Sequence, residues 1–150
     1  MEKKSMPIAI RDGQDGDVPF IFSSWLKSFR TGLFCKHVDN NFYYAGQHKL
    51  MEKIVKRSKI IVAVDPHNPA DIYGYLCFEH IDGLLVIHYG YTKHTFRCMG
   101  VFRQLIKHTN QDFNNVSLYS HSSIMASILA KQYNLVYNPY ILVNHMDEVK

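Results

Sequence analysis

Apolar and polar positions follow two periods along this chain, and the switches between them mark its elements. Ile8-Ala9-Ile10-Arg11 reads as a short opening strand. The turn Asp12-Gly13-Gln14-Asp15-Gly16-Asp17 follows and supplies aspartates as N-caps. From Val18 to Phe29, Ile21, Trp25, Leu26 and Phe29 fall at helical spacing on one face, and Pro19 suits a first turn. Thr31 to Asn41, with Gly32 and Asp39-Asn40-Asn41, reads as a loop. A second helix is predicted over Phe42 to Arg57. Its late turns carry Lys53, Lys56 and Arg57, which suit the negative end of the helix dipole.

The β-branched run Lys59 to Asp65 predicts a buried strand, and Pro66 to Asp71 a turn with two prolines. Ile72 to His80 and Leu84 to Thr92 form a hairpin around Ile81-Asp82-Gly83. Over Gly100 to His108 the period changes: positions 101, 102, 105 and 106 are apolar, giving an amphipathic helix. A short strand Val116 to Ser120, a helix Ser123 to Tyr133 with a serine start, and a strand-like tail Val136 to Val143 broken at Asn138-Pro139 complete the chain. The order β-α-α-β-β-β-α-β-α-β implies an α/β chain with a mixed sheet, α+β rather than regularly doubly wound. With no repeat, low-complexity tract or linker, residues 1–150 read as a single domain.

Composition narrows the class. In 150 residues, 47% are hydrophobic and 20% charged, the balance of a globular chain rather than a disordered one. No apolar run approaches the ~20 residues of a membrane helix, so no membrane partner is expected. Met1 to Pro7 carries Lys3 and Lys4 without an apolar core after them, unlike a secretory leader. Cys35, Cys77 and Cys98 are an odd set with no CxxC pair, which argues against disulfides or a zinc ribbon and fits a reducing cytoplasm. The histidines show neither HxxxH nor HxH spacing, so no metal is expected. Seventeen basic residues against 13 acidic give +4, a charge compatible with an anionic ligand or with ordinary solubility.

Chemistry concentrates in the stretch from His88 to Phe102, His-Tyr-Gly-Tyr-Thr-Lys-His-Thr-Phe-Arg-Cys-Met-Gly-Val-Phe. A strand runs into a short basic loop, and the loop opens a helix at Gly100. Such a helix start offers unpaired N–H groups and a favourable dipole to an anion, with Arg97 and Lys93 adding positive charge nearby. A plain strand-to-helix turn, its glycine relieving strain, explains the same residues.

Arg97-Cys98-Met99-Gly100-Val101-Phe102 resembles the coenzyme A signature R/Q-x-x-G-x-G/A of the GNAT (GCN5-related N-acetyltransferase) family. It agrees at the arginine and first glycine; Phe102 stands where a small residue is usual. The family's element order is the one predicted here, so the resemblance spans Ile8 to about Val143. Ser24 to Ser28 and Tyr91 to Arg97 are similar to phage-encoded members, which places the chain in a host cytoplasm.

The resemblance implies a direct, ternary-complex transfer of an acyl group, acetyl foremost, from acyl-CoA to a primary amine. Tyr91 and Thr92 would bond the pantetheine arm in a gap between the fourth and fifth strands. Arg97, Cys98, Met99, Gly100, Val101 and Phe102 would hold the pyrophosphate, with Cys98 giving its backbone N–H. His88 is the first candidate for the base that deprotonates the amine. Strand alternation puts it on the face of Thr92, four residues on, and its ordinary pKa suits neutral pH. Glu79 on the preceding strand is the second. A partly buried histidine satisfied by a carbonyl also fits position 88, and an exposed strand-end charge also fits position 79.

The last helix departs from the family's N-x-x-A-x-x-L-Y-x-x-x-G-F. In Ser123 to Leu135, Ala126 and Leu129 agree, while Ser123 replaces the asparagine at the cofactor-facing start, Ala130 the proton-donating tyrosine and Asn134 the glycine. Tyr133, nearly one turn on, is the substitute acid, with Tyr119 or a water as alternatives. His121, flanked by Ser120 and Ser122, ends the fifth strand beside the implied thioester. The acceptor would meet the loop Thr31 to Asn41, whose Phe34, Lys36, His37 and Asp39 give no specificity pattern. After Tyr140 the tail is short, leaving the acceptor side open or completed by a homodimer partner. Two other readings stay open: a GNAT-shaped binding or inhibitor protein of phage origin that has lost catalysis, supported by Phe102 and Ala130, and an acyltransferase acting on a nucleic acid or modified base.

Overall fold

A computed structural model describes residues 6–32, 35–97, 99–110 and 115–143. Strands β1 (Ala9–Asp12), β2 (Lys59–Asp65), β3 (Asn68–Ile81), β4 (Leu84–Thr92), β5 (Ser117–Tyr119) and β6 (Leu135–Tyr137) form one sheet in sequence order. The pairs from β1 to β4 are antiparallel, whereas β4–β5 and β5–β6 are parallel. Helices α1 (Val18–Arg30), α2 (Asn40–Arg57), α3 (Val101–His108) and α4 (Ile124–Tyr133) intervene in the predicted order. Among the described residues no helix is long and apolar enough to cross a membrane.

Helices cover both faces because the central strands carry apolar residues on both. Tyr75 and Cys77 of β3 pack towards α1 and α2, against Trp25, Phe29 and Met51; Leu76 and Phe78 pack towards α3, against Val101, Leu105 and Ile106. Trp25 is fully buried, stacked on Tyr89 of β4 with ring centroids 4.9 Å apart and planes 3° from parallel. That pairing fixes α1 across β4.

Three predicted boundaries move. Helix α2 starts at Asn40, not Phe42, because the Asp39 side chain accepts the Asn41 N–H at 2.9 Å and caps it. Strand β3 starts at Asn68 rather than Ile72: Asp65 pairs with Asn68 and Val64 with Ile72, and the irregular register there accommodates Pro69, which has no N–H for the ladder. The final strand stops at Tyr137. Pro139 opens a 3-10 turn, Pro139–Leu142, whose Tyr140 N–H is accepted by the Asn138 side chain at 3.2 Å.

Candidate functional site

The sheet divides at one residue. In β3–β4, Cys77 pairs with Tyr89 and Phe78 with Ile87, which leaves His88 as an extra residue in β4. Leu85 and Ile87 face α3, but beyond the bulge Tyr89 and Tyr91 face α1. Alternation is therefore broken at His88. Its ring reaches Glu79, on the β3 face of Tyr75 and Cys77, while Thr92 shares the opposite face with Gly90. The expected placement of His88 and Thr92 on one face fails for that reason. At the same point β5 parts from β4. Only Val86–Leu118 and Ile87–Tyr119 are paired, the Ser120 N–H closes onto the Ile87 carbonyl at 3.1 Å, and β4 continues to Thr92 beside β3 alone.

The bulge delivers His88 into a buried polar chain. Its Nε2 lies 2.6 Å from Glu79 Oε2 and its Nδ1 2.7 Å from Ser120 Oγ. Ser120 Oγ is 2.9 Å from His121 Nδ1, and His121 Nε2 is 3.0 Å from the Gln47 side-chain nitrogen on α2. Glu79, His88, Ser120 and His121 are all buried, His88 to 1% exposure. Apolar rings of Trp25 and Phe29 pack edge-on against His121. Burial, and secondarily the charge of His88, push the His121 pKa down to about 3, so this imidazole is neutral. The two predicted base candidates are thus brought together, and His88 has both nitrogens engaged.

At the far end of β4 the chain passes a 3-10 turn, His94–Phe96, and enters α3 through Gly100. Gly100 sits at φ +83°, a left-handed conformation that a side chain disfavours, and among the described residues, its chain neighbours aside, no atom lies within 4 Å of where its Cβ would be. The first turn of α3 starts there, with exposed Met99 and Arg97 alongside. Arg97 Nε reaches the Thr92 carbonyl at 3.4 Å. Val101 is a core residue, so it offers this site only its backbone. Tyr91 is half-buried and stacks on Tyr75. Cys98 lies outside the described residues, as does Phe34 of the loop between α1 and α2.

Phe102 has a defined position. A Cβ on Gly90 would stand 2.7 Å from Phe102 Cε2, so the ring lies directly on β4, and its other neighbour is the Tyr133 ring at 6.0 Å. Tyr133 accordingly sits with Phe102 on the α3 side, across the sheet from the Glu79–His88 pair. Ser123 caps α4, its Oγ accepting the Ala126 N–H at 3.0 Å. Lys93 places its ammonium over the Phe20 ring of α1, 5.1 Å from the centroid, and lines a cleft of about 450 Å³ with Arg11, Asp17 and Pro69. A second cleft, of about 380 Å³, reaches Glu79 from outside and is walled by Arg57, Lys59, His80 and His108.

Sequence reasoning did not connect Ser120 and His121 to His88, and it missed Gln47 altogether. The contacts span 32 and 74 residues, and no local motif signals them.

No protein-family model matches the chain, and no curated protein matches it. Solved structures share its fold. A candidate acetyl transferase from Pyrococcus furiosus superposes with a TM-score of 0.54 at 16% identity, over 96% of this chain and 93% of its own. A candidate acetyltransferase from Clostridium difficile gives 0.55 at 19% identity, over 87% and 91%. The PaiA N-acetyltransferase of Thermoplasma acidophilum, solved in complex with coenzyme A, gives 0.51 at 14% identity over 70% of each chain. The likeness is one of fold, and the fold is that of the GNAT acetyltransferases.

Proposed function

We propose that this protein is an acyl-CoA-dependent N-acyltransferase that transfers an acyl group, acetyl foremost, to a primary amine by direct attack within a ternary complex. One observation carries the reading. The stretch of β4 left without β5 leads, through the 3-10 turn His94–Phe96, to the N-terminus of α3 at Gly100, so a strand-like edge is followed along the chain by a helix start suited to an anion. In this reading the edge from His88 to Thr92 bonds the pantetheine arm, and Arg97 with the first-turn N–H groups of α3 holds the pyrophosphate. A backbone N–H at the bulge polarises the thioester carbonyl. The Glu79–His88 pair is the sink for the amine proton. Tyr133, on the α3 side, returns a proton to the thiolate.

The residues fit this substrate at the anion end, where Gly100 leaves open space. Along the arm, the Phe102 ring covers Gly90 and has to swing aside. That ring favours a second reading, a GNAT-shaped binding protein without catalysis. The test is calorimetric titration with acetyl-CoA and CoA, followed by thiol release over a panel of primary amines. Saturable binding with amine-dependent thiol release is expected. Binding without turnover would favour the second reading, and no binding at high micromolar ligand would reject the acyltransferase.

A further inference from the structure

We propose that Gln47, His121 and Ser120 form the entry leg of a directional proton relay that ends on the Glu79–His88 pair and discharges into the cleft walled by Arg57, Lys59, His80 and His108. Its proton source rests on the acyltransferase reading; its polarity does not.

The polarity follows from which atoms can donate. A glutamine amide nitrogen only donates, so His121 Nε2, 3.0 Å away, accepts. The ring is neutral, so its single proton is on Nδ1 and is donated to Ser120 Oγ at 2.9 Å. Ser120 then donates its own proton to His88 Nδ1 at 2.7 Å, and His88 donates from Nε2 to Glu79 Oε2 at 2.6 Å. Four successive donors point the same way, from α2 towards β3. With His88 neutral at rest, the amide at one end and the carboxylate at the other favour this single direction.

Once the Gln47 amide swings away from His121 Nε2, a proton presented there is passed on without moving another heavy atom of the chain. The N–H bond of the acylated amine breaks and a bond to His121 Nε2 forms. His121 Nδ1 gives its proton to Ser120 Oγ, and Ser120 gives its own to His88 Nδ1. One proton has moved from the amine to His88, which becomes an imidazolium beside the Glu79 carboxylate; His121 and Ser120 end neutral. Burial denies His121 a stable charge, so it transmits the proton rather than keeping it. Glu79 also lines a cleft, which brings that end of the relay to the surface. His88 of β4 is hydrogen-bonded to Glu79, and Arg57 at the end of α2, Lys59 of β2, His80 of β3 and His108 of α3 line the same cleft. Ser120 and Gln47 act through the histidines and are positioning residues.

Two measurements on the full chain test this. Long-range 15N–1H spectra of the ligand-free protein at pH 7 are expected to show His121 protonated at Nδ1 and bare at Nε2, and His88 protonated at Nε2. A proton on His121 Nε2 would overturn the polarity. In turnover with acetyl-CoA and an accepted amine, Ser120→Ala is expected to lower kcat about 100-fold with an unchanged KM for acetyl-CoA. Ser120→Thr, which keeps the hydroxyl, is expected to restore most of it at a matched melting midpoint. An unaffected kcat in Ser120→Ala, or equal losses in the two variants, would overturn the relay. If the wild-type protein neither binds CoA nor turns over, the acyltransferase reading fails while the spectra still decide the polarity.

Discussion

Removing the Phe102 ring separates the two functional readings most sharply. The ring stands where a Cβ on Gly90 would meet it at 2.7 Å, so nothing can pass between it and β4. Any ligand arm laid along β4 on this face must first break the contact with Tyr133, an aromatic pair at 6.0 Å worth about 0.5–1.5 kcal/mol. Because about 1.4 kcal/mol is a factor of ten in affinity, Phe102→Ala is expected to bind CoA roughly 2- to 10-fold more tightly. Its stability is expected to fall by about 1–2 kcal/mol, since the ring is only half-buried. Calorimetric titration of both proteins with CoA, at a temperature where both are folded, gives the comparison. Unchanged or weaker binding by a folded Phe102→Ala protein would refute the claim that the ring lies in the arm's path.

Other outcomes follow from the buried chain and the helix caps. Glu79→Ala leaves the His88 ring without its carboxylate and is expected to cost about 1.5–3 kcal/mol in urea unfolding; a loss below about 1 kcal/mol would mean that His88 finds another partner. His121 has a folded pKa near 3, below its ordinary value near 6.5, so the unfolded state binds more protons between those values. Its contribution to stability is present above about pH 6.5 and is lost as pH falls towards 3, at up to about 1.4 kcal/mol per unit. Urea midpoints of the wild type and His121→Phe should converge in slope only above that pH, and parallel acid profiles would contradict the burial of a neutral ring. The Asp17 pKa is lowered chiefly by its hydrogen bond from Arg11, so this pair's stability is held above about pH 4 and lost below it; Arg11→Met is expected to remove that acid-side loss in a pH titration of unfolding. Asp39→Ala removes the α2 cap and should cost about 1 kcal/mol by thermal melting, with CoA binding unchanged.

Periodicity made the element order legible because each element buries a face. Ile21, Trp25 and Phe29 mark α1, and Val101, Leu105 and Ile106 mark α3. The glycine-opened start of α3 was equally legible, since a glycine at a strand-to-helix junction has a local signature. The bulge was not: neither glycine nor proline flags His88, and only pairing with β3 shows that β4 carries one residue too many. Without the bulge, alternation assigns His88 to the wrong face. The His88 network was hidden for a related reason, since its members come from α2, β3, β4 and the end of β5. Ser123 is the serine start expected of the last helix, and its hydroxyl caps α4. Lys93 follows β4 as expected but turns to Phe20, because an exposed ring face offers its ammonium a partner on the α1 side.

Amide spectra recorded during titration with acetyl-CoA test the central claim most directly. Saturable shifts at Val101, Phe102 and Arg103 in the first turn of α3, together with His88 to Thr92 along β4, are the expected result. A folded protein whose amides in both segments stay unmoved at high micromolar acetyl-CoA would contradict it.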